Sequence, residues 1–279
     1  MRNNKDRLQA PAESSDPAEA MAGKTNSLFD FVSPTHFVEL PTKGRFYPEG
    51  HPLRGEKTTE IRFMTAKDED ILTSKALLKS GLAIDRFISN ILVDQSINVD
   101  TLYVADKNAI MIAARITGFG AEYTTHMKCP ACAQTSENSF DLNDVTPYYG
   151  DEERELSSDG TFTIELPTTK VQAQLKLLTG EEERKLASLA ESKAKKNLPE
   201  TTSTDQLKSI IVSLNGQTER STINKFCDLM PAPDSRFLKR VYRSTAPGVD
   251  MKSHFACSAC GHEQEVEIPL TADFFWSNR

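Results

Sequence analysis

Two short stretches of this chain carry residues able to hold a metal: HMKCPAC, His126 to Cys132, and HFACSAC, His254 to Cys260. In each, two residues separate two cysteines, the spacing that lets one tight turn present two thiolates to a single ion. One such knuckle supplies half of a tetrahedral site. The two together supply a whole one, so the expected ligand set is Cys129, Cys132, Cys257 and Cys260. Four protein ligands leave no open position, which makes a structural zinc ion the expected occupant rather than a catalytic one. Both knuckles lie between alternating strand residues, at hairpin tips. A redox Cys-x-x-Cys pair sits at a helix N-terminus, where the thiolate is stabilised. His126 and His254, three residues before each first cysteine, fall on strand arms; spacing leaves open whether either replaces a sulfur or supports one from behind. Cys227 shares a helical apolar stripe with Ile223 and Met230 and reads as a small buried hydrophobe.

A site shared by residues 129 and 257 requires the 124 residues between Cys132 and Cys257 to fold away and return. The pattern of elements permits this, because the chain repeats itself. ELPTKG at 39–44 matches ELPTTK at 165–170, and IRFMTAKDED at 61–70 matches LKLLTGEEER at 175–184, a strand, a threonine cap and an acidic first helical turn in both. Further on, a constant offset of 128 residues carries Asp106 onto Asp234, Arg115 onto Arg243, His126 onto His254 and both cysteines onto both cysteines. The expected fold class is α+β: two tandemly duplicated halves, each a hairpin, several helices and a knuckle, joined by a shared zinc ribbon. Residues 1–27, polar and poor in large apolar groups, are expected to be a disordered tail. The first repeat then spans 28–150 and the second 151–279.

Within the first repeat, periodicity predicts a helix from Thr65 as cap to Gly81, a second with Ile84, Phe87, Ile88, Ile91 and Leu92 on one face, and a third from Asp106 as cap to Gly118. In the second, Thr179 caps a helix, 193–204 reads as a polar loop, and Leu207, Ile210, Ile211 and Leu214 mark another helix.

Composition narrows the function. The net charge of −7 disfavours a chain that grips phosphates by bulk charge. No run of 18 apolar residues predicts a membrane span, and no basic-then-apolar start predicts a secretory signal. Gly-rich phosphate loops, GxSxG and HExxH are absent. Two aromatic clusters stand out. Phe46 and Tyr47 lie in the proline-bounded loop GRFYPEGHPL, present in the first repeat only, which points to a contact role. Phe274, Phe275 and Trp276 either pack over the ribbon or anchor a partner, since aromatics are favoured at interface hot spots.

LPTKGRFYPEG, then MTAKDED with the apolar helix, then ITGFGAEYTTHMKCPAC resembles the baseplate hub subunit family of T4-type contractile-tailed bacteriophages. There a Pro-Ser/Thr-Lys-Gly-x-Phe-Tyr-Pro-x-Gly start, a threonine before an acidic helix cap and a tyrosine six residues before a Cys-x-x-Cys recur in this order. The resemblance covers about residues 36–145 well and the remainder loosely. It implies a non-enzymatic structural or assembly protein of the central hub, binding other tail and baseplate proteins, with no small-molecule substrate. It would be made in the host cytoplasm and either stay in the virion baseplate or act only during assembly. Members differ in the second cysteine pair, so that half rests on the internal repeat. The alternative is a zinc-ribbon nucleic-acid-binding or transcription-associated protein; it needs a basic strip, yet Lys128 and Lys252 stand among Glu137, Glu263, Glu265 and Glu267.

Overall fold

Val38 is buried between the exposed Phe37 and Glu39, and Thr59 and Ile61 are buried between more open neighbours. They pair as β1 (Thr35–Glu39) and β2 (Thr58–Arg62), antiparallel, with His36 opposite Ile61. The computed structural model describes residues 34–151, 156–268 and 272–275; the expected tail at 1–27 and the ring of Trp276 lie outside the described residues.

The loop joining β1 to β2 folds inward. Gly44 adopts φ +66°, and a Cβ there would meet the backbone of Leu53 and Glu56 at 2.4 to 2.5 Å, so only glycine fits. This tight approach carries Phe46 and Tyr47 into the core, 4% and 1% exposed. The Tyr47 hydroxyl donates to Asp106 Oδ2 at 2.7 Å, and Thr42 donates to the same carboxylate through its backbone N–H (3.0 Å) and its hydroxyl (2.6 Å). Arg54 closes the loop by donating to the carbonyls of Arg45 and Tyr47, both at 2.6 Å. Phe46 and Tyr47, expected to face a partner, are therefore core residues: a buried acid gives the Tyr47 hydroxyl its partner, so the ring can leave water.

Helices α1 (Ala66–Thr73) and α2 (Lys75–Lys79) replace the single helix expected before Gly81, with Ser74 in an extended conformation between them. Thr65 N–H donates to the Asp68 carboxylate at 2.7 Å, the acidic arm of a capping box that Arg62 pairs at the same distance. Helix α3 (Ala83–Ile91) buries Phe87, Ile88 and Ile91 as its periodicity predicts. Helix α4 (Val104–Phe119) begins at Tyr103; Asp106, expected to cap it, instead lies inside the first turn and binds the Thr42 turn. Then come the hairpin β3 (Glu122–Lys128) and β4 (Thr135–Asp141), and the short β5 (Thr146–Tyr148).

The second half opens with β6 (Thr161–Glu165) and β7 (Gln172–Lys176), then α5 (Gly180–Lys195), whose cap Thr179 is bonded by Glu182 as Thr65 is by Asp68. Helix α5 thus runs into the stretch expected to be a loop. Helix α6 (Thr202–Ile210) stops short of Leu214: Ile211–Leu214 is strand β8, which completes the sheet β6-β7-β8. All four apolar residues of that expected helical stripe are buried, but the last two face the core from a strand. Helices α7 (Arg220–Leu229) and α8 (Ala232–Thr245) follow, then β9 (Gly248–Asp250) and the hairpin β10 (Lys252–Ala256) and β11 (Glu263–Glu267).

The fold is mixed α and β with small antiparallel sheets. Two hydrophobic clusters fill it. The larger takes most of its residues from 38–142 and adds Leu177, Met251, Ile268, Phe274 and Phe275; the smaller spans Phe162 to Val241. Phe274 and Phe275 sit edge-on to Tyr123 and Phe87, so this aromatic pair packs inside the protein. Strand β5 pairs with β9, and Lys107 of α4 bridges Asp85 (2.8 Å) and Glu183 of α5 (2.9 Å), tying the early elements to the late ones.

Two outcomes follow for stability. Tyr47→Phe strips one donor from a buried carboxylate and costs about 1–3 kcal/mol, while Gly44→Ala, strained and blocked by backbone, costs about 2 kcal/mol or more; urea unfolding of both variants measures this. Burial pushes the Asp68 carboxyl up, but the bonds from Arg62, Thr65 and Asn90 outweigh it and hold its pKa at about 2, below the ordinary 3.8. A depressed folded value means that its contribution is complete above about pH 4 and lost as pH falls toward 2. The stability gap between the native chain and Asp68→Asn is widest near neutrality and closes across that acid window.

Candidate metal centre

Both knuckles are built the same way from backbone. In the first, Cys129 N–H donates to the Gln134 carbonyl (2.8 Å) and Ala133 N–H to the Cys129 carbonyl (2.9 Å); in the second, Cys257 N–H donates to His262 (2.9 Å) and Gly261 N–H to Cys257 (2.9 Å). Ala133 and Gly261, each following a second cysteine, take left-handed φ of 61° and 71° and turn the chain back into its hairpin. The two hairpin tips meet. Cys129 Sγ lies 3.8 Å from Cys260 Sγ and Cys132 Sγ 3.7 Å from Cys257 Sγ, and all four sulfurs lie within 4.8 Å of one another.

Those distances discriminate between chemistries. A disulfide needs about 2.05 Å, and the five cysteines are free thiols. A tetrahedron of thiolates at about 2.3 Å from zinc has edges of about 3.8 Å, which the two cross-hairpin pairs match. The pairing is crossed, first cysteine of one knuckle against second of the other, and the two distances are nearly equal, as a two-fold relation between the knuckles would make them. Cys129 and Cys257 are buried beside Phe255, whereas Cys132 and Cys260 open to solvent.

Electrostatics gives the same reading. Backbone N–H groups of Cys260 and Ala259 aim at the Cys257 sulfur and lower its pKa to about 6. The His262 N–H favours the Cys260 thiolate too, but the sulfurs of Cys132, Cys257 and Cys129 outweigh it and push that thiol up to about 12. The opposite directions of the two shifts follow from sulfurs packed too closely to share negative charge among themselves. A divalent ion would relieve that crowding, since its charge favours the thiolate of every ligand it binds.

The other candidates separate cleanly. His126 and His254 are exposed on the strand faces, opposite Glu137 and Glu265, and are not part of the sulfur cluster. Cys227 is buried on α7, where desolvation raises its pKa to about 11, the behaviour of a packing residue. The expected partner anchors Phe46, Tyr47, Phe274 and Phe275 are interior. Sequence reasoning missed the support behind the hairpins. Arg115 of α4, 1% exposed, donates from Nε to the Phe274 carbonyl (3.0 Å), from Nη1 to Gly120 (2.7 Å) and from Nη2 to Glu122 (3.1 Å). It pins the root of the first hairpin to the C-terminal segment. The signal was a charged residue inside the apolar run IMIAARI.

A family model described as T4 bacteriophage base plate protein matches residues 34–276, so the match contains both knuckles, the Gly44 loop and Arg115. The chain belongs to this family. No curated protein and no solved structure matches it. Membership in the base plate family gives a phage baseplate role and other baseplate or tail proteins as partners. Among the described residues, no helix is long and apolar enough to cross a membrane.

The metal reading has a direct check. Elemental analysis of the purified chain should find about one zinc per molecule. Cys257→Ser with Cys260→Ser should remove it and lower the melting temperature; full zinc content in that variant would refute a shared site.

Proposed function

We propose that this chain is a non-enzymatic structural or assembly protein of the central hub in a contractile-tailed phage baseplate. In this reading its two halves are clamped by a structural zinc held by Cys129, Cys132, Cys257 and Cys260. One observation carries it: a base plate family match that spans nearly the whole described fold and encloses a four-sulfur cluster of zinc-like dimensions. The halves are repeats of one unit. Supporting this, an acid three residues past a threonine bonds the cap of α1 and of α5, through Asp68 and Glu182. Asp106 receives the Thr42 turn, and Asp234 receives the matching turn through Thr168 N–H (2.7 Å) and Thr169 N–H (3.0 Å).

A clamp of this kind suits assembly in a reducing host cytoplasm, where thiolates stay available to zinc and disulfides do not persist. The hairpin faces beside the cluster are acidic: Glu265 lies 3.9 Å from the Lys252 ammonium, and Glu263 and Glu267 stand exposed nearby. Such a surface favours a protein partner over nucleic acid.

Purified tails supply the test. A phage lacking this chain should yield no complete baseplates, and Cys257→Ser with Cys260→Ser should fail to rescue assembly. Immunodetection on finished tails then separates a virion component from a transient factor; complete baseplates without the chain would overturn the proposal.

A further inference from the structure

Helix α8 leaves one side open, and that side is basic. Arg236, Lys239, Arg240 and Arg243 recur at i, i+3, i+4 and i+7 and fall within an arc of about 100°. Arg236, Arg240 and Arg243 are exposed, and Lys239 is half-buried. Like charges at this spacing repel one another and disfavour the helix that carries them. Among the described residues no carboxylate pairs with any of the four. Acids on the same and adjoining helices are engaged elsewhere: Asp234 with the Thr168 turn, Asp205 of α6 with Lys193 (2.6 Å) and Asp228 of α7 with Lys208 (2.7 Å). Lys239 donates to Ser203 at the start of α6, and Arg240 lies 5.7 Å from the centre of the Phe237 ring, so neither contact supplies a countercharge. On α5, by contrast, Lys185 and Lys195 are each paired with a glutamate four residues earlier.

The helix 128 residues earlier shows what this side of α8 lacks. The matching positions on α4 are Asn108, Met111, Ile112 and Arg115, and no residue of α4 from Val104 to Thr117 is exposed. Strand β9 and the Phe274 segment pack on that helix, and Arg115 donates to the Phe274 carbonyl at 3.0 Å. Arg243, its counterpart, is exposed, and no hydrogen bond or ion pair among the described residues holds it. We propose that the open side of α8 is a docking surface for an acidic segment of another baseplate or tail protein, which covers α8 as the chain's own segments cover α4. Three guanidinium groups suit that occupant, because each can take a carboxylate through two parallel hydrogen bonds. Arg236 to Arg243 spans about 10 Å of helix axis, a length that a short acidic helix or strand can follow. A nucleic acid would run past the stripe onto a chain of net charge −7, whose field repels it. The class of partner comes from membership of the base plate family, and the surface owes nothing to the metal centre.

Fluorescence anisotropy of the full chain with an oligoglutamate peptide, and with a DNA duplex of matching charge, tests the surface. The native chain should bind the peptide more tightly than the duplex at low salt and release it as salt screens the contact. Arg236→Glu with Arg240→Glu and Arg243→Glu should weaken peptide binding at least about tenfold. Arg236→Gln with Arg240→Gln, which removes charge without reversing it, should weaken it by a smaller factor, and Lys185→Glu with Lys195→Glu on α5 should leave it unchanged. In phage, the charge-reversed α8 variant should build no complete baseplates although its melting temperature and zinc content match those of the native chain. Zinc measured on the same samples reports on the metal centre separately. Peptide binding that survives the α8 substitutions, or tighter binding to the duplex, would overturn the proposal. Complete baseplates from the charge-reversed variant but none from a phage lacking the chain would overturn the docking surface alone and leave the baseplate role standing.

Discussion

Sulfurs from two turns 128 residues apart share a volume in which every pair lies within 4.8 Å, and neither hairpin can hold that arrangement unaided. Two-stranded hairpins are marginal in water, and among the described residues the buried cluster at the knuckles is small: Cys129, Phe255 and Cys257, with Met127 and Val266 packed against it. Their aim is set at the roots. Arg115 ties Gly120 and Glu122, at the start of the first hairpin, to Phe274 beyond the second. Strand β5 follows the first hairpin and pairs with β9, which precedes the second. The roots thus bring the tips together, and a cation at the tips would lock what the roots only orient.

Charge inside the protein follows the same logic. Asp106 and Asp234 are both fully buried and both receive a Thr-containing turn, yet their acidities move in opposite directions. Burial dominates at Asp106 and raises it; at Asp234 burial acts the same way, but two backbone N–H bonds with the Thr169 hydroxyl outweigh it and lower it. The network of Asp85, Lys107, Glu183 and Arg184 spans α3, α4 and α5, with Arg184 also 2.5 Å from Asp100. Buried or half-buried pairs of this kind recover their desolvation cost poorly. They also tie α5 to α3 and α4 through Glu183 and Arg184.

Local physics was legible in the sequence. Alternation located both knuckle hairpins, the threonine and acid spacing located the caps of α1 and α5, and the cysteine spacing located the cluster. What escaped was decided at a distance. Leu207, Ile210, Ile211 and Leu214 fit a helical stripe, but β7 offers Ile211–Leu214 a strand to pair with, and sheet pairing overrides propensity. A loop rich in Gly and Pro has the same composition whether it faces water or core; Tyr47 is interior because its hydroxyl finds Asp106, 59 residues later. The same bond explains why Asp106 is not a cap.

Strongly shifted acids and tyrosines often mark catalysis, so their use here bears on function. Five of them are committed to holding the fold: Asp68 to a helix cap, Asp106 and Tyr47 to the Gly44 loop, Asp234 to the Thr168 turn, Asp205 to Lys193 and Thr201. A buried carboxylate already receiving two or three donors is poorly placed to take a proton from a substrate. The shifts are better explained by a scaffold in which polar groups specify where loops and halves lie. On the proposed reading the working parts are the surfaces that remain, and their positions would be as good as the four-sulfur cluster that holds the two hairpin tips together.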